Sequence, residues 1–333
     1  MTLRAGLTGT GTAGLLTLEA TADRRDCAVT AVHDRDPDNA RNAANAYGVR
    51  CWTTDFQELV QQGLDFLVVA GRLCDRLEHV RVAAEHGLPC LLHAPAAPDL
   101  ETMRAMAAIT AEHGVRLGVY TRAHADPVVE QIRRMIAGDW LGGVTTVQAI
   151  AADDGLLRGH VASEPADLFI ALGSPHVHLA TWLTGRHAQR VTAQTSRTVA
   201  AEVDDGAVAT VVLRGEVPCT FSASRLARAE AFAIHGTDGG VRMAGDRIWL
   251  LGQRPFRGHV FDYDTPGTEQ VLARRDIEGA LESQRARSEL HDRFARWLQD
   301  TDDYPVPGEQ AVADYEILAA MSRAASDGVV VDL

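Results

Sequence analysis

The sequence predicts an α/β chain: a parallel, doubly wound domain, then an α+β domain whose sheet is open and mainly antiparallel. Three observations predict it. A glycine-punctuated loop follows the first apolar run, apolar runs then alternate with amphipathic stretches as far as Tyr120, and beyond that β runs follow one another closely. Strand–helix alternation builds a parallel sheet, whereas successive β runs joined by short turns build an antiparallel one. At 333 residues the chain exceeds one typical core, which fits two domains.

In the first part, strands are expected at Leu3 to Thr8, Ala28 to His33, Asp65 to Ala70, Pro89 to His93 and Val115 to Tyr120. Helices fall between them at about Ala13 to Ala22, Pro37 to Tyr47, Asp75 to His86 and Leu100 to His113, each closed by a glycine or a turn. After Tyr120 a helix from Pro127 to Ala137 leads to Gly142-Gly143, a strand, and a helix ending Leu179-Ala-Thr-Trp-Leu-Thr-Gly185. The β runs are Arg190 to Val199, Ala207 to Arg214, Pro218 to Arg225, Ala231 to His235, Arg247 to Leu251 and His259 to Tyr263. The nearly all-apolar Ala207 to Leu213 reads as a strand covered on both faces. Asp238-Gly239-Gly240 reads as a hairpin turn. Helices at about Glu278 to Gln299 and Gly308 to Ala325 precede a short terminal strand. The domains are placed at 1–122 and 123–333, with the helix near 308–325 expected to pack back on the first.

The glycine loop carries the first chemical inference. It reads Leu3-Arg-Ala-Gly-Leu-Thr-Gly9-Thr-Gly11-Thr-Ala-Gly14, and Asp34 stands twenty positions beyond Gly14 at the end of the second strand. Gly9 suits a tight strand-to-helix turn, Gly11 lets backbone approach a pyrophosphate, and Gly14 allows close helix–strand contact. The following helix points its free N–H groups and roughly half a positive charge at the phosphates. This is the entry to a dinucleotide-binding Rossmann domain, with Gly9, Thr10, Gly11, Thr12 and Ala13 as its phosphate loop. Asp34 can accept from both ribose hydroxyls and would repel a 2′-phosphate, favouring NAD over NADP, while Arg35 could stack on adenine or meet a phosphate.

Composition narrows the partners. The 32 basic and 45 acidic residues leave a net charge of −13 with no basic run, which argues against nucleic acid or an anionic membrane and for a small-molecule substrate. No apolar run approaches bilayer-crossing length, so the protein is expected to be cytoplasmic. Cys27, Cys51, Cys74, Cys90 and Cys219 are scattered without a Cys-x-x-Cys pair and read as reduced thiols, not disulfides or a zinc site. All 32 basic residues are arginine, which excludes lysine-based chemistry.

In order and spacing these pieces resemble the Gfo/Idh/MocA oxidoreductases, named for glucose-fructose oxidoreductase, inositol dehydrogenase and a rhizopine-catabolism protein. The resemblance runs over nearly the whole chain. It includes the glycine loop, Asp34-Arg35-Asp36-Pro37, and Thr53-Thr-Asp-Phe-Gln-Glu-Leu59 before Asp65-Phe-Leu-Val-Val-Ala70. It continues through Gly138-Asp-Trp-Leu-Gly142, Trp182-Leu-Thr-Gly185, Gly308-Glu-Gln-Ala and Asp327-Gly328. It implies a nicotinamide cofactor, oxidation or reduction of a hydroxyl or carbonyl on sugars, inositols and related molecules, and a homodimer or homotetramer paired through the exposed sheet face of the second domain. Ala70, Gly71, His93 and Ala94 join Asp34 and Arg35 as implied cofactor contacts.

The motif positions are substituted. The family's Glu-Lys-Pro after the fifth strand is His93-Ala94-Pro95, and its Thr-Pro after the fourth is Gly71-Arg72, with Arg76 for the downstream histidine. The family's histidine, and its aspartate three residues later, fall at Pro175 and His178, with His176 one residue off register. The Arg-Phe before Asp126-Pro127 is His124-Ala125. His178 and His176 are therefore the leading replacement proton-transfer groups, because imidazole titrates near neutrality. Tyr120, at the carboxyl edge of the sheet, is a further possible donor weighed against packing, and His93 a contact to nicotinamide ribose or substrate. Arg122 and His124 are candidate substrate contacts, as are Arg158 and His160, each set against a solvated surface role. His176-x-His178 is too short to define a metal site. The expected function is an NAD(H)-dependent oxidoreductase without the family lysine. Three alternatives stand beside it: an imine reductase like the thiazolinyl imine reductases, a non-redox sensor, or an NAD-assisted lyase or glycosidase.

Overall fold

Six strands, β1 (Leu3–Thr8), β2 (Cys27–His33), β3 (Cys51–Thr53), β4 (Phe66–Val69), β5 (Cys90–His93) and β6 (Leu117–Tyr120), lie parallel in the order β3-β2-β1-β4-β5-β6. A computed structural model describes residues 2–22, 26–157, 167–199, 203–274, 277 and 283–333 of the chain. It divides into two compact units, Met1–Ala125 with Ser283–Ala313, and Asp126–Glu282 with Asp314–Leu333. The parallel sheet belongs to the first. Its strands are continuous apolar runs because both faces are covered, and Phe66 to Val69 in β4 have no exposed surface.

The helices of this sheet are α1 (Thr12–Thr21), α2 (Pro37–Tyr47), α3 (Phe56–Val60), α4 (Leu73–Glu85) and α5 (Leu100–Glu112). Their ends are set by local chemistry. Asp36 caps α2 by accepting from the N–H groups of Asp38 and Asn39 at 2.8 and 3.2 Å, Pro37 stands at the first turn, and Gly48 closes the helix at φ 69°. Asp99 caps α5 through the Thr102 N–H at 2.7 Å. The three-residue β3 and the one-turn α3 were not among the expected elements, since neither is long enough to show a hydrophobic period.

The second unit contains α6 (Pro127–Ala137), β7 (Val144–Ala152) and α7 (Ser174–Thr184), with a π turn, Phe169–Gly173, leading into α7. Strands β8 (Ala188–Ser196), β9 (Gly206–Leu213), β10 (Val217–Ser224), β11 (Ala229–Gly236), β12 (Gly239–Ala244), β13 (Arg247–Gly252) and β14 (Gln270–Ala273) follow. After them come α8 (Ser283–Leu298), α9 (Gly308–Asp327) and β15 (Val331–Asp332). The sheet order is β14-β13-β12-β11-β7-β10-β9-β8-β15, antiparallel except where β7 meets β10.

Four expectations need correction. First, β9 is not covered on both faces: Ala207, Ala209, Val211 and Leu213 are buried, but Val208 is 48% exposed. Second, the turn between β11 and β12 sits at Thr237-Asp238, with Gly239 and Gly240 already in β12 and Gly240 paired with His235. Third, His259 to Tyr263 is no strand; only Phe256 and Tyr263 bridge, and the buried Tyr263 hydroxyl bonds backbone groups of Gly252, Thr265 and Thr268 instead. Fourth, residues 283–313, placed in the second domain from the sequence, pack into the first unit. Phe294 of α8 meets Phe66 at 5.4 Å and Tyr304 at 5.2 Å, and the Tyr304 hydroxyl donates to the Val119 carbonyl at 3.2 Å. Gly118 makes room, since a Cβ there would lie 2.9 Å from both rings.

Candidate cofactor and catalytic sites

The carboxyl ends of β1 and β4 flank the point where the strand order reverses, which is where open α/β sheets bind ligands. Gly9 turns there at φ 88°, and a Cβ on it would fall 2.4 Å from the backbone of Gly71. A Cβ on Gly14 would fall 2.0 Å from the Gly9 carbonyl oxygen, so the close contact at Gly14 is to the turn itself. Gly11 differs, because nothing lies within 4 Å of its Cβ position. Gly11 caps α1 without a side-chain bond, and Thr12 is exposed beside it, so the first-turn N–H groups remain available. A tight turn, an open glycine and a free helix start form a cradle that fits a pyrophosphate.

Asp34 is fixed by three hydrogen bonds. Its Oδ2 accepts from the Thr10 N–H at 2.8 Å and the Thr10 hydroxyl at 2.7 Å, and its Oδ1 from the Asp36 N–H at 3.1 Å. Partial burial pushes the carboxyl up, but those donors outweigh it and hold the group below the usual carboxylate range. The carboxylate is therefore charged at neutral pH. Arg35 is exposed and ion-paired with Asp75 at 2.7 Å. Ala70 and Gly71, both half-buried, continue from β4, with the Ala70 N–H on the Thr8 carbonyl at 2.9 Å.

A second cluster sits at the carboxyl ends of β5 and β6. His93 is buried, with Nε2 hydrogen-bonded to the Thr17 hydroxyl of α1 at 2.7 Å. Its ring lies 4.7 Å from Tyr120, which lies 4.9 Å from His291 of α8. Burial, then the neighbouring His291 and Arg76, pushes His93 down to about 3, so the imidazole is neutral. Arg76, also buried, donates to the carbonyls of Gly71, His93 and Pro95 and so ties the loops after β4 and β5 together. The Ala94 N–H bonds the Tyr120 carbonyl at 3.0 Å. Thr17, Arg76 as a clamp, and His291 were not anticipated. His291 in particular comes from a distant helix whose sequence carries no motif.

In the second unit His178 and Asp314 form a buried pair, 2% and 4% exposed, with His178 Nδ1 on Asp314 Oδ2 at 2.6 Å. A carboxylate at that distance fixes the orientation of the imidazole. His176 points elsewhere, as two residues along a helix must. Its Nδ1 bonds the Leu172 carbonyl at 3.3 Å, its Nε2 is 4.0 Å from Glu230, and it lines a small cavity with Ala149, Ala151, Phe221 and Met321. Burial lowers its pKa against the opposing pull of Glu230. The two histidines are thus not interchangeable. Arg122 and His124 occupy a 3₁₀ turn, Arg122–Ala125, with Arg122 exposed and His124 half-buried. Arg158 and His160 lie outside the described residues. Among the described residues no cluster of His, Cys, Asp and Glu is arranged to hold a metal, and no helix is long and apolar enough to cross a membrane.

Comparison with known proteins places these features in context. The family model described as the oxidoreductase family, NAD-binding Rossmann fold, matches residues 3–121, and that of the GFO/IDH/MocA C-terminal domain matches residues 129–242. The myo-inositol dehydrogenase Hyg17 of Streptomyces leeuwenhoekii is 27% identical over 179 residues, 52% of this chain and 53% of that protein. The match therefore spans about half the length of that curated relative. Levoglucosan dehydrogenase in complex with NADH superposes with a TM-score of 0.85 at 16% identity, covering 100% of this chain and 99% of that one. An Agrobacterium radiobacter oxidoreductase in complex with NAD+, L-tartaric acid and magnesium gives 0.82 at 18% identity, covering 99% and 98%. The apo scyllo-inositol dehydrogenase of Lactobacillus casei gives 0.79 at 16%, again covering 99% and 98%. At these identities the structural likeness is one of fold.

Proposed function

We propose that this chain, which belongs to the GFO/IDH/MocA oxidoreductase family, oxidises or reduces a hydroxyl or carbonyl carbon of a small polar molecule, sugar-like or a specialised-metabolite intermediate. The observation that carries the reading is the buried His178–Asp314 pair at 2.6 Å. When bound, NAD(H) supplies the hydride acceptor or donor. The chain's own residues do the rest. The Gly9 to Gly14 cradle and Asp34 hold the cofactor's phosphates and ribose, and neutral His93 and Ala94 line the loop after β5. In this reading Asp314 orients His178 through Nδ1, and Nε2 takes the hydroxyl proton in oxidation or returns it in reduction. Arg122 and His124 are proposed substrate contacts. Histidine thus does the proton transfer for which this chain has no lysine.

Imine reduction is a second reading, favoured by the packing of Tyr120 between His93 and His291. In that reading the Tyr120 hydroxyl is the proposed donor of a proton to the imine nitrogen. The test is nicotinamide absorbance with NADH and a panel of inositols, oxidised sugars and cyclic imines. Binding of NADH with no turnover on any member would sink both readings in favour of a sensor, and leaving-group release without net NADH change would favour a lyase or glycosidase. The proposed setting is the cytoplasm. The proposed assembly is a homodimer or homotetramer through the outer face of the nine-stranded sheet, where Ile150, Val208, Leu251 and Val271 are 43 to 48% exposed.

A further inference from the structure

We infer that Asp75 is a cofactor-specificity residue: by holding Arg35 it keeps the one cation adjacent to Asp34 away from a 2′-phosphate. The inference rests on the cradle described above and concerns its adenosine end. Arg35 follows Asp34 at the carboxyl end of β2, and Asp75 lies in the first turn of α4, after β4. Both strands flank β1, so the 2.7 Å ion pair spans the end of β1 where the glycine loop begins.

A Rossmann site that accepts a 2′-phosphate does so with an arginine near the ribose-binding position. Here an arginine stands one residue from Asp34, and sequence alone leaves it open to either cofactor. Its side chain is 64% exposed and reaches toward Asp75, whose own side chain is only 14% exposed. A partly buried carboxylate with one hydrogen-bonded guanidinium is a fixed anchor more than a passing surface contact. Asp36 is engaged as the cap of α2, and Asp38 pairs with Arg41 at 2.6 Å, so neither competes for Arg35. The Asp34 carboxylate, fixed by Thr10, is itself a negative charge at the ribose-binding position. A group carrying about −1.5 to −2 charges would meet that carboxylate beside a guanidinium already paired with Asp75.

The test is calorimetric binding of ADP-ribose and 2′-phospho-ADP-ribose to the full-length wild type, Asp75→Asn and the double variant Asp75→Asn/Arg35→Ala, with thermal melts confirming folding. Asp75→Asn should tighten 2′-phospho-ADP-ribose by about tenfold, the scale of one released charge-assisted contact, while ADP-ribose changes less than about threefold. Adding Arg35→Ala should abolish that gain. Unchanged selectivity in Asp75→Asn overturns the inference, and so does a gain that survives Arg35→Ala, since the cation would then be another, such as Arg72. Failure of the wild type to bind ADP-ribose would instead overturn the cofactor cradle itself.

Discussion

Acidification from pH 7.5 to 5 should destabilise the first unit through the buried histidines His33, His79 and His93, whose burial lowers each pKa, and replacing one of them should remove its share. His79, stacked on Phe56 at 4.2 Å and set edge-on to His33 at 5.8 Å, is pushed down to about 4 by burial first and the His33 charge second. His93 is pushed down to about 3. Each imidazole titrates near 6.5 once unfolded, so between that value and its folded value the unfolded chain binds the extra proton and stability falls as pH falls. Both groups are essentially uncharged at pH 7.5 in either state, where the penalty vanishes. At pH 5 the unfolded imidazole has gained about 1.5 pH units of protonation free energy that the folded one refuses, or about 2 kcal/mol for His79 and the same for His93. Asp34 titrates from below the usual carboxylate range, so its stabilisation is lost only below about pH 4 and does not confuse the window. The assay is equilibrium urea unfolding of wild type and His79→Gln at pH 7.5, 6.5, 5.5 and 5. The variant's loss between pH 7.5 and 5 should be smaller than the wild type's by about 2 kcal/mol, whatever its absolute stability. If His79→Gln keeps the full wild-type pH dependence, His79 is not a buried neutral histidine and the reasoning fails.

Gly14→Ala puts a methyl 2.0 Å from the Gly9 carbonyl oxygen, where only backbone can yield, and should weaken NADH binding at least about tenfold in a fluorescence titration. Gly11→Ala, facing open space, tests pyrophosphate approach instead, and equal affinity to wild type would deny Gly11 that role. Asp314→Asn should lower kcat by about 10²–10⁴ while leaving the Kd for NADH within about threefold, because the carboxylate that orients His178 through Nδ1 is gone. A kcat within threefold of wild type would remove His178 from the chemistry. Ile150→Asp with Val208→Asp charges the outer sheet face, where Ser222 pairs with both residues, and sedimentation should show smaller particles than wild type. An unchanged sedimentation coefficient would place any subunit contact elsewhere.

What the sequence disclosed was local. The Gly9 turn, the Asp36 cap with Pro37, and the apolar runs of β1, β4 and β5 are each dictated within a few residues, and each is legible without a partner. The short β3 and β14 were not, because three or four residues cannot display a period and depend on their neighbours for pairing. The reach of Ser283–Ala313 into the first unit was invisible for a different reason. It depends on Phe294 and Tyr304 meeting Phe66 and Gly118, and shape complementarity between distant residues has no sequence period.

The catalytic candidates divide along the same line. The register of the helix before Trp182 nominated His178 and His176 together, yet helix geometry sends His178 to Asp314 and His176 to the sheet. Only the first gains a carboxylate at hydrogen-bonding distance: 2.6 Å, against 4.0 Å from His176 to an exposed Glu230. Likewise Tyr120 and His93 were nominated from their strand ends, but what gives them chemical character is Thr17, Arg76 and His291, drawn from three helices. Backbone placement is a local property, whereas tautomer, charge state and donor strength are fixed by whatever the fold brings alongside. A chain without lysine makes the distinction visible: its motif positions name candidate groups for the proposed proton transfer, and the distant partners set the surroundings of each imidazole and phenol.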